Sequence, residues 1–430
     1  MKNFQFNYGK EKIDFSLDEK NIVEELEGTP VDNSKTEEEI VKQALQNPIG
    51  SKKLQNLIHK GETVCLVISD ITRAWQRPHV FLPIIIEELN NAGIADSDIT
   101  ILSANGSHRK QTLEEHEILL GKDLAKRFTV IDHDSKDKNN FDYLGDTSYK
   151  TPVLINKIAM ECDHIVLTGA IVYHLLAGFS AGRKSILPGI ASYETIMKNH
   201  ALSLSETLGQ GKNSLATGGK LENNPVHLDM MEAASFVKPT FLLNVVMNSE
   251  GKIGACVSGD YIKAHEEGCK VVEKNDGVFI KQKADLAIGT AGGYPKDINF
   301  YQSIKSLLNE KEAIKLGGTI ILASECSEGL GGNDDIVHML LDFDNMLDRE
   351  IELRENYSIA KDVAFMTCDA ASKHDVIFIS KIDENLVKKA NVHVVKTMEE
   401  ALAIAYKKHG KDLKISVMPH AANTFPIFER

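Results

Sequence analysis

Hydrophobic and polar positions along the chain fall into two recurring patterns. The opening stretch, MKNFQFNYGKEKIDFSL, alternates apolar and polar residues with the period of two that predicts a first strand and hairpin. Short β-rich runs then alternate with helical patterns: ETVCLVISD before VFLPIIIEELNNAG, DITILSANG before LEEHEILLGKDLAKRF, then FTVIDHD, then HIVLTGA ahead of a long helical and loop region. This alternation predicts α/β units on a mostly parallel sheet. In such sheets functional groups gather where the strands end.

The pattern changes at FLLNVVMNSEGKIGACVSG, which reads as two strands joined by an Asn-Ser-Glu-Gly-Lys turn, followed by the helix DYIKAHEEGCKVVEK. A fresh α/β series opens at ADLAIGTAGG and continues through GTIILASECSEGLGG, HDVIFISKI and NVHVVKTMEEALAIAYKKHG. The boundary therefore falls near residues 272–282, giving an N-terminal domain over 1–275 and a C-terminal α/β domain over 276–409. The closing DLKISVMPHAANTFPIFER could return to the first domain as a completing strand over about 410–430, and the pattern leaves that open. No repeat of fixed period is visible.

Composition narrows the class. With 430 residues the chain suits two domains, each able to bury a sizeable core. Hydrophobic residues at 42% and charged residues at 26% match ordinary soluble proteins. The N-terminus lacks the apolar core and cleavage site of a signal peptide, and the longest apolar runs, such as Phe81 to Ile86, are far short of a membrane span, so a cytoplasmic protein is expected. The net charge of −13, with no basic cluster interleaved with aromatics, argues against nucleic acid. It also means that any site for a carboxylate must carry its own Arg or Lys. The six cysteines are scattered without CxxC or zinc-ribbon spacing and read as buried reduced thiols.

Four stretches carry candidate chemistry. The densest is YHLLAGFSAGRKSILPGIASYETIMKNH, residues 173–200, where His174, Arg183, Lys184 and His200 sit among small residues. Glycines flanking a lysine permit close approach of backbone or ligand, and Arg183 should lower the pKa of the Lys184 amine, favouring a nucleophilic or acylated lysine. Structural histidines and a solvated basic turn are equally consistent with these residues taken singly. The second stretch, ILSANGSHR, sets His108 beyond a strand end. The third, LVISDITRAW, places Asp70, Thr72 and Arg73 at another, where Thr and Arg can hold a phosphate or carboxylate and Asp70 could equally be only a helix cap. In the fourth, ADLAIGTAGGYPKDINFYQSIKSLLN, Tyr301, Gln302 and Lys305 share one helical face near a helix start, a plausible carboxylate clamp or an ordinary exposed face.

Taken together and in this order, the four stretches resemble the nickel-dependent lactate racemase family from about residue 60 to the C-terminus, most specifically in HLLAGFSAGRKSILPGI through His200. The resemblance implies two α/β domains with mostly parallel sheets and an interdomain active-site cleft. It also implies a nickel-pincer nucleotide, the pyridinium-3-thioamide-5-thiocarboxylic acid mononucleotide, tethered to Lys184 through a thioamide, with His200 as nickel's protein ligand. By the same matching His108 and His174 are the acid/base pair, and Arg73 and Lys305 hold the substrate carboxylate or its oxygen. Tyr301 and Gln302 border the substrate, Asp70 and Thr72 lie near the cofactor, and Pro188 packs on the pyridinium ring. The implied partners are a small 2-hydroxy acid and cofactor-maturation proteins.

The implied reaction is racemisation of lactate or a short aliphatic homologue. The α-hydrogen of a 2-hydroxy carboxylate is hardly acidic, so one histidine takes the hydroxyl proton while hydride passes to the cofactor, leaving a planar 2-keto acid that can accept hydride on either face. One departure bears on substrate size: Trp75 is the only tryptophan, so the family's substrate-side indole in the second domain is absent, and LRENYSIAKDVAF offers Tyr357 or Phe365 instead. Malate, an aryl-lactate or an aldonate are alternatives within the same chemistry. A non-catalytic carrier of the nickel nucleotide is the alternative of another class, and it has no reason to keep both His108 and His174. No GxGxxG follows the first strand, which weakens a dehydrogenase.

Overall fold

A computed structural model of the chain describes residues 1–29 and 34–428. The chain divides into two compact units. Pro30–Ser203 with Leu215–Asn275 forms the N-terminal unit, and Met1–Thr29, Leu204–Ser214 and Asp276–Arg430 form the C-terminal unit. Both are α/β units built on parallel sheets, the class read from the sequence. None of the helices among the described residues is long and apolar enough to cross a membrane.

The N-terminal unit is organised by a six-stranded sheet in the order Ile253–Gly259, Phe241–Met247, His164–Ala170, Val64–Ser69, Ile99–Ala104, Val130–Asp132. Every neighbouring pair is parallel except the first, which is the expected hairpin over 241–259. Val64–Ser69 is buried at its first five positions, as a central strand covered on both faces should be. The helix Pro78–Asn91 begins with proline at its first turn and packs Phe81, Leu82, Ile85, Ile86 and Leu89 into the cluster holding Val64, Leu66 and Ile68. Each such side chain, fully buried, contributes about 1.5–3 kcal/mol. The chain fills the sheet to one side of Val64–Ser69 and then crosses to the other at His164–Ala170. The carboxyl ends of these two strands therefore flank a switch point, the place where open α/β sheets bind ligands.

The C-terminal unit has a six-stranded parallel sheet in the order Val392–Val395, Asp375–Ile379, Ile314–Ala323, Ala284–Thr290, Ile415–Met418, Ile22–Glu25. Its switch point lies between Ala284–Thr290 and Ile415–Met418. The N-terminal hairpin, Lys2–Tyr8 against Glu11–Leu17, sends Phe6, Phe15 and Leu17 into the core with Leu286, Ile288 and Ile321.

Two expectations are corrected and one left open is decided. The first 29 residues, assigned by sequence to the N-terminal domain, belong to the C-terminal unit, because Ile22–Glu25 pairs in parallel with Ile415–Met418. The closing segment stays in that unit as well, as Ile415–Met418 pairs with Ala284–Thr290 and Phe425–Phe428 with Gly277–Ile280; residues 429 and 430 lie outside the described residues. The single helix expected over LEEHEILLGKDLAKRF stops at Leu120. Gly121 takes φ +76° with ψ 159°, a conformation that glycine reaches freely, and only a short 3₁₀ turn, Leu124–Lys126, follows.

Candidate active site

The strand Val64–Ser69 delivers Asp70 to its carboxyl end, at the start of the turn Ile71–Gln76. Asp70 occupies the cap position without capping, since its carboxylate bonds no turn amide. Thr72 Oγ1 donates to Asp70 Oδ1 at 2.6 Å, and Asp70 Oδ2 lies 2.5 Å from His108 Nδ1. Asp70 is only 3% exposed. Burial alone would raise its pKa, but the His108 hydrogen bond and charge, Thr72 and Arg73 hold it below the usual carboxylate value, so it stays ionised. The carboxylate thus accepts a proton-bearing Nδ1. Arg73 Nη1 reaches Thr72 Oγ1 at 3.3 Å.

His108 rides on the turn that ends the adjacent strand Ile99–Ala104. Its amide donates to the Asn105 carbonyl at 2.9 Å, and Gly106 N–H donates to the Gly189 carbonyl at 2.9 Å, which fastens this turn beside Pro188. The other flank of the switch point is built by the chain leaving His164–Ala170. A short hairpin, Tyr173–His174 against Gly178–Phe179, presents His174, whose Nδ1 accepts from the amides of Leu176 and Ala177, both at 3.2 Å.

The next residues are forced into an unusual backbone. Ala181 has φ +57° and ψ −159°, a conformation that side chains tolerate poorly and that collects at functional sites. Gly182 also has positive φ, and a Cβ there would meet the His265 ring at 2.6 Å, so only glycine fits. Its amide is held by Asn244 Oδ1 at 3.0 Å. At Gly189 a Cβ would lie 2.1 Å from the Ser185 carbonyl oxygen. Between these glycines the turn Gly182–Ser185 carries Arg183 and Lys184.

Arg183 is fully buried and, among the described residues, forms no ion pair. It donates to the Ala177 carbonyl at 2.6 Å and lies 3.1 Å from His265 Nε2, which itself sits 2.8 Å from the Ser180 carbonyl. Burial pulls its pKa down to about 10. Lys184 is half-buried as a residue, yet its amine is pushed well below the usual lysine value, by desolvation first and then by the charges of Arg183 and Arg73. His174 is likewise held well below the ordinary imidazole value by burial, then by Lys184, His200, Arg183 and Arg73, so these five groups share one neighbourhood. His200, 4% exposed, lies in the last turn of the helix Tyr193–Ala201 and points Nδ1 at the Ile196 carbonyl, 2.9 Å away. That bond puts the proton on Nδ1 and the lone pair on Nε2, the arrangement of a metal-binding imidazole oriented by a backbone carbonyl.

In the C-terminal unit, Tyr301, Gln302 and Lys305 stand on the first turns of the helix Phe300–Glu312, which follows the carboxyl end of Ala284–Thr290. Asn299 caps this helix by accepting from the Gln302 amide, and the amides of Phe300 and Tyr301 donate to the Gly329 and Leu330 carbonyls. Gln302 is exposed, and Tyr301 and Lys305 are half-buried. Of the two aromatics offered in place of an indole, Phe365 is fully buried core and only Tyr357 keeps some exposure.

Two supporting residues escaped the sequence reading. Asn244 is a polar residue inside the otherwise apolar strand FLLNVVM, a signal that could have revealed it. His265 sits on the helix Lys263–Asp276 with no local mark of its role under Gly182 and Arg183.

Comparison with known proteins follows this geometry. The family model of the lactate racemase N-terminal domain matches residues 8–211, and that of the lactate racemase C-terminal domain matches residues 279–425. The lactate racemase of Thermoanaerobacterium thermosaccharolyticum is 36% identical, over 97% of this chain and 98% of its own length. That of Lactiplantibacillus plantarum is 35% identical, with 96% of each chain covered. The lactate racemase apoprotein structure from the first organism superposes with a TM-score of 0.89 over 100% of both chains, at 35% identity. A Thermotoga maritima protein at 19% identity and TM-score 0.65, covering 94% of this chain and 100% of that one, shares the fold. With both domain models matched and relatives aligned along nearly its whole length, the chain belongs to the lactate racemase family.

Proposed function

We propose that this protein is a cytoplasmic racemase of lactate or a short aliphatic 2-hydroxy acid, working with a nickel-pincer nucleotide tethered to Lys184 and liganded by His200. The observation that carries the reading is the desolvated Lys184 amine in the same neighbourhood as the Nε2 lone pair of His200. A lysine whose amine gives up its proton more readily can be acylated, and a buried imidazole oriented by a backbone carbonyl can hold a soft metal. Among the described residues no three His, Cys, Asp or Glu side chains gather to hold a metal by themselves, so the remaining donors would come from an organic ligand. Such donors are what a sulfur–carbon–sulfur pincer provides. Pro188, half-buried just beyond that turn, is the candidate to pack on the ring. Six free thiols agree with a reducing compartment.

When bound, the nucleotide supplies the hydride acceptor. The residues of the chain do the rest. His108 and His174 manage the hydroxyl proton, and Arg73 and Lys305 are the cations assigned to the substrate carboxylate or its oxygen, which a protein of net charge −13 would otherwise repel. Tyr301 and Gln302 shape the substrate's surroundings. The ordered Asp70–His108 pair favours turnover over mere carriage of the nucleotide, since a carrier needs no oriented base. Expression with nickel and the cofactor-maturation proteins, followed by a chirality assay over a panel of 2-hydroxy acids, tests the reading. Lactate should be racemised; a nickel-loaded protein inert toward lactate, malate, aryl-lactates and aldonates alike would overturn it.

A further inference from the structure

The two candidate acid/base histidines are held by different kinds of partner. His108 faces a carboxylate that is ionised and can only accept, so Nδ1 carries a proton and, in the neutral ring, the lone pair is on Nε2. His174 faces two backbone amides, which can only donate, so its Nδ1 carries the lone pair and its proton sits on Nε2. The assignment needs no hydrogen to be seen, because a backbone N–H has one role and an ionised carboxylate has the other.

We propose that the resting protein carries the two histidines in opposite tautomers, His108 as a base at Nε2 and His174 as a hydrogen-bond donor at Nε2, with Asp70 as the positioning residue that sets the first of them. This deepens the racemase reading and rests on it for the identity of the substrate. The first proton step is then one-sided. The substrate O–H breaks, an N–H forms at His108 Nε2, and the imidazolium so produced is stabilised by Asp70 2.5 Å from its other nitrogen. The proposed cofactor, when bound, would supply the acceptor for the hydride that carries away the electron pair of the C–H bond, so charge and electrons would balance. His174 meanwhile offers its Nε2–H to a substrate oxygen. To serve as the base itself, it would have to move its proton to Nδ1 and give up both amide bonds.

Asp70 reaches this role through geometry. It does not cap its own turn, and its second oxygen is occupied by Thr72, which restrains carboxylate rotation and keeps Oδ2 on the imidazole. Thr72 therefore acts through Asp70, and the sequence-level assignment of both residues to the cofactor's surroundings becomes an assignment to His108.

The test is ¹⁵N NMR of the histidine side chains in the full-length protein without cofactor, where both tautomers are read directly. His108 should show a protonated Nδ1 and a lone-pair Nε2, and His174 the reverse. Asp70→Asn should let His108 populate both tautomers and, in the matured enzyme, lower kcat by about 10²–10⁴-fold with KM little changed. Like tautomers in the two rings would overturn the inference even if the enzyme racemises lactate. A His108 spectrum and a kcat both unmoved by Asp70→Asn would remove the role of Asp70. Failure of the chirality assay would instead strike the substrate reading and leave the NMR result standing.

Discussion

At the carboxyl end of Val64–Ser69 and its neighbours polar side chains from separate turns are locked to one another, whereas beyond Ala284–Thr290 the candidate substrate residues share the first turns of a single helix. Asp70 is gripped by Thr72 and His108, the Gly106 amide by Gly189, and the Gly182 amide by Asn244. Tyr301, Gln302 and Lys305 owe their place mainly to the Asn299 cap and the 326–332 loop that fix their helix. The difference separates two tasks. Proton and cofactor chemistry needs fixed tautomers and a desolvated amine, which only interlocking partners maintain. Gripping an anion needs a positive charge near a positively polarised helix end, which one capped helix can provide.

Lys184→Ala should break the locked side most severely. Racemase activity should fall to background, and the denatured mass of the matured variant should lack the nucleotide that the parent carries. Equal masses for variant and parent would remove the covalent attachment, and undiminished turnover would remove Lys184 from the chemistry altogether. On the helix side Lys305→Ala should cost less. Losing a charged hydrogen bond of about 1.5–3 kcal/mol corresponds to a KM raised roughly 10- to 100-fold. Lys305→Arg should restore it only in part, because guanidinium and ammonium differ in shape and donor geometry. A variant with parental KM would show that this helix does not hold the substrate.

The smallest effect concerns the buried face of that same helix. Glu310 is fully buried, and neither carboxylate oxygen has a hydrogen-bond partner among the described residues. Burial pushes its pKa well above the ordinary 4.5. An acid whose folded pKa is raised leaves stability intact below the unfolded value and erodes it as pH rises toward the folded one. Between those limits the loss is about 1.4 kcal/mol per pH unit. Glu310→Gln should flatten that slope in urea unfolding followed across pH. An unchanged slope would mean that the carboxyl is not the group responsible.

The parts of the site visible in the sequence were those written locally. A strand followed by Asp70-Ile71-Thr72-Arg73, another followed by Asn105-Gly106-Ser107-His108, and glycines around Arg183-Lys184 announce strand ends and a constrained lysine without help from tertiary structure. Whether Asp70 caps its turn or holds a histidine could not be seen, because the deciding partner lies 38 residues away. The tautomer of His174 depends on where two amides point after a hairpin has formed. The parallel pairing of Ile22–Glu25 with Ile415–Met418 joins opposite ends of the chain, and such pairing leaves no periodic trace in either segment. The stop at Gly121 was overlooked for the opposite reason, since the apolar periodicity beyond it masked a local break.

The assignment of Met1–Thr29 to the C-terminal unit bears on how the protein is made. As the chain leaves the ribosome its first segment appears well before the sheet that receives it, so Phe6, Phe15 and Leu17 wait without a core until the Ala284–Thr290 and Ile314–Ala323 strands are made, and Ile22–Glu25 waits for Ile415–Met418. The N-terminal unit, complete by Asn275, can condense during that interval. For the same reason a fragment cut at residue 276 would not be an autonomous domain. It would lack the Ile22–Glu25 edge strand and leave Ile415–Met418 open to pairing with other chains, a template for aggregation.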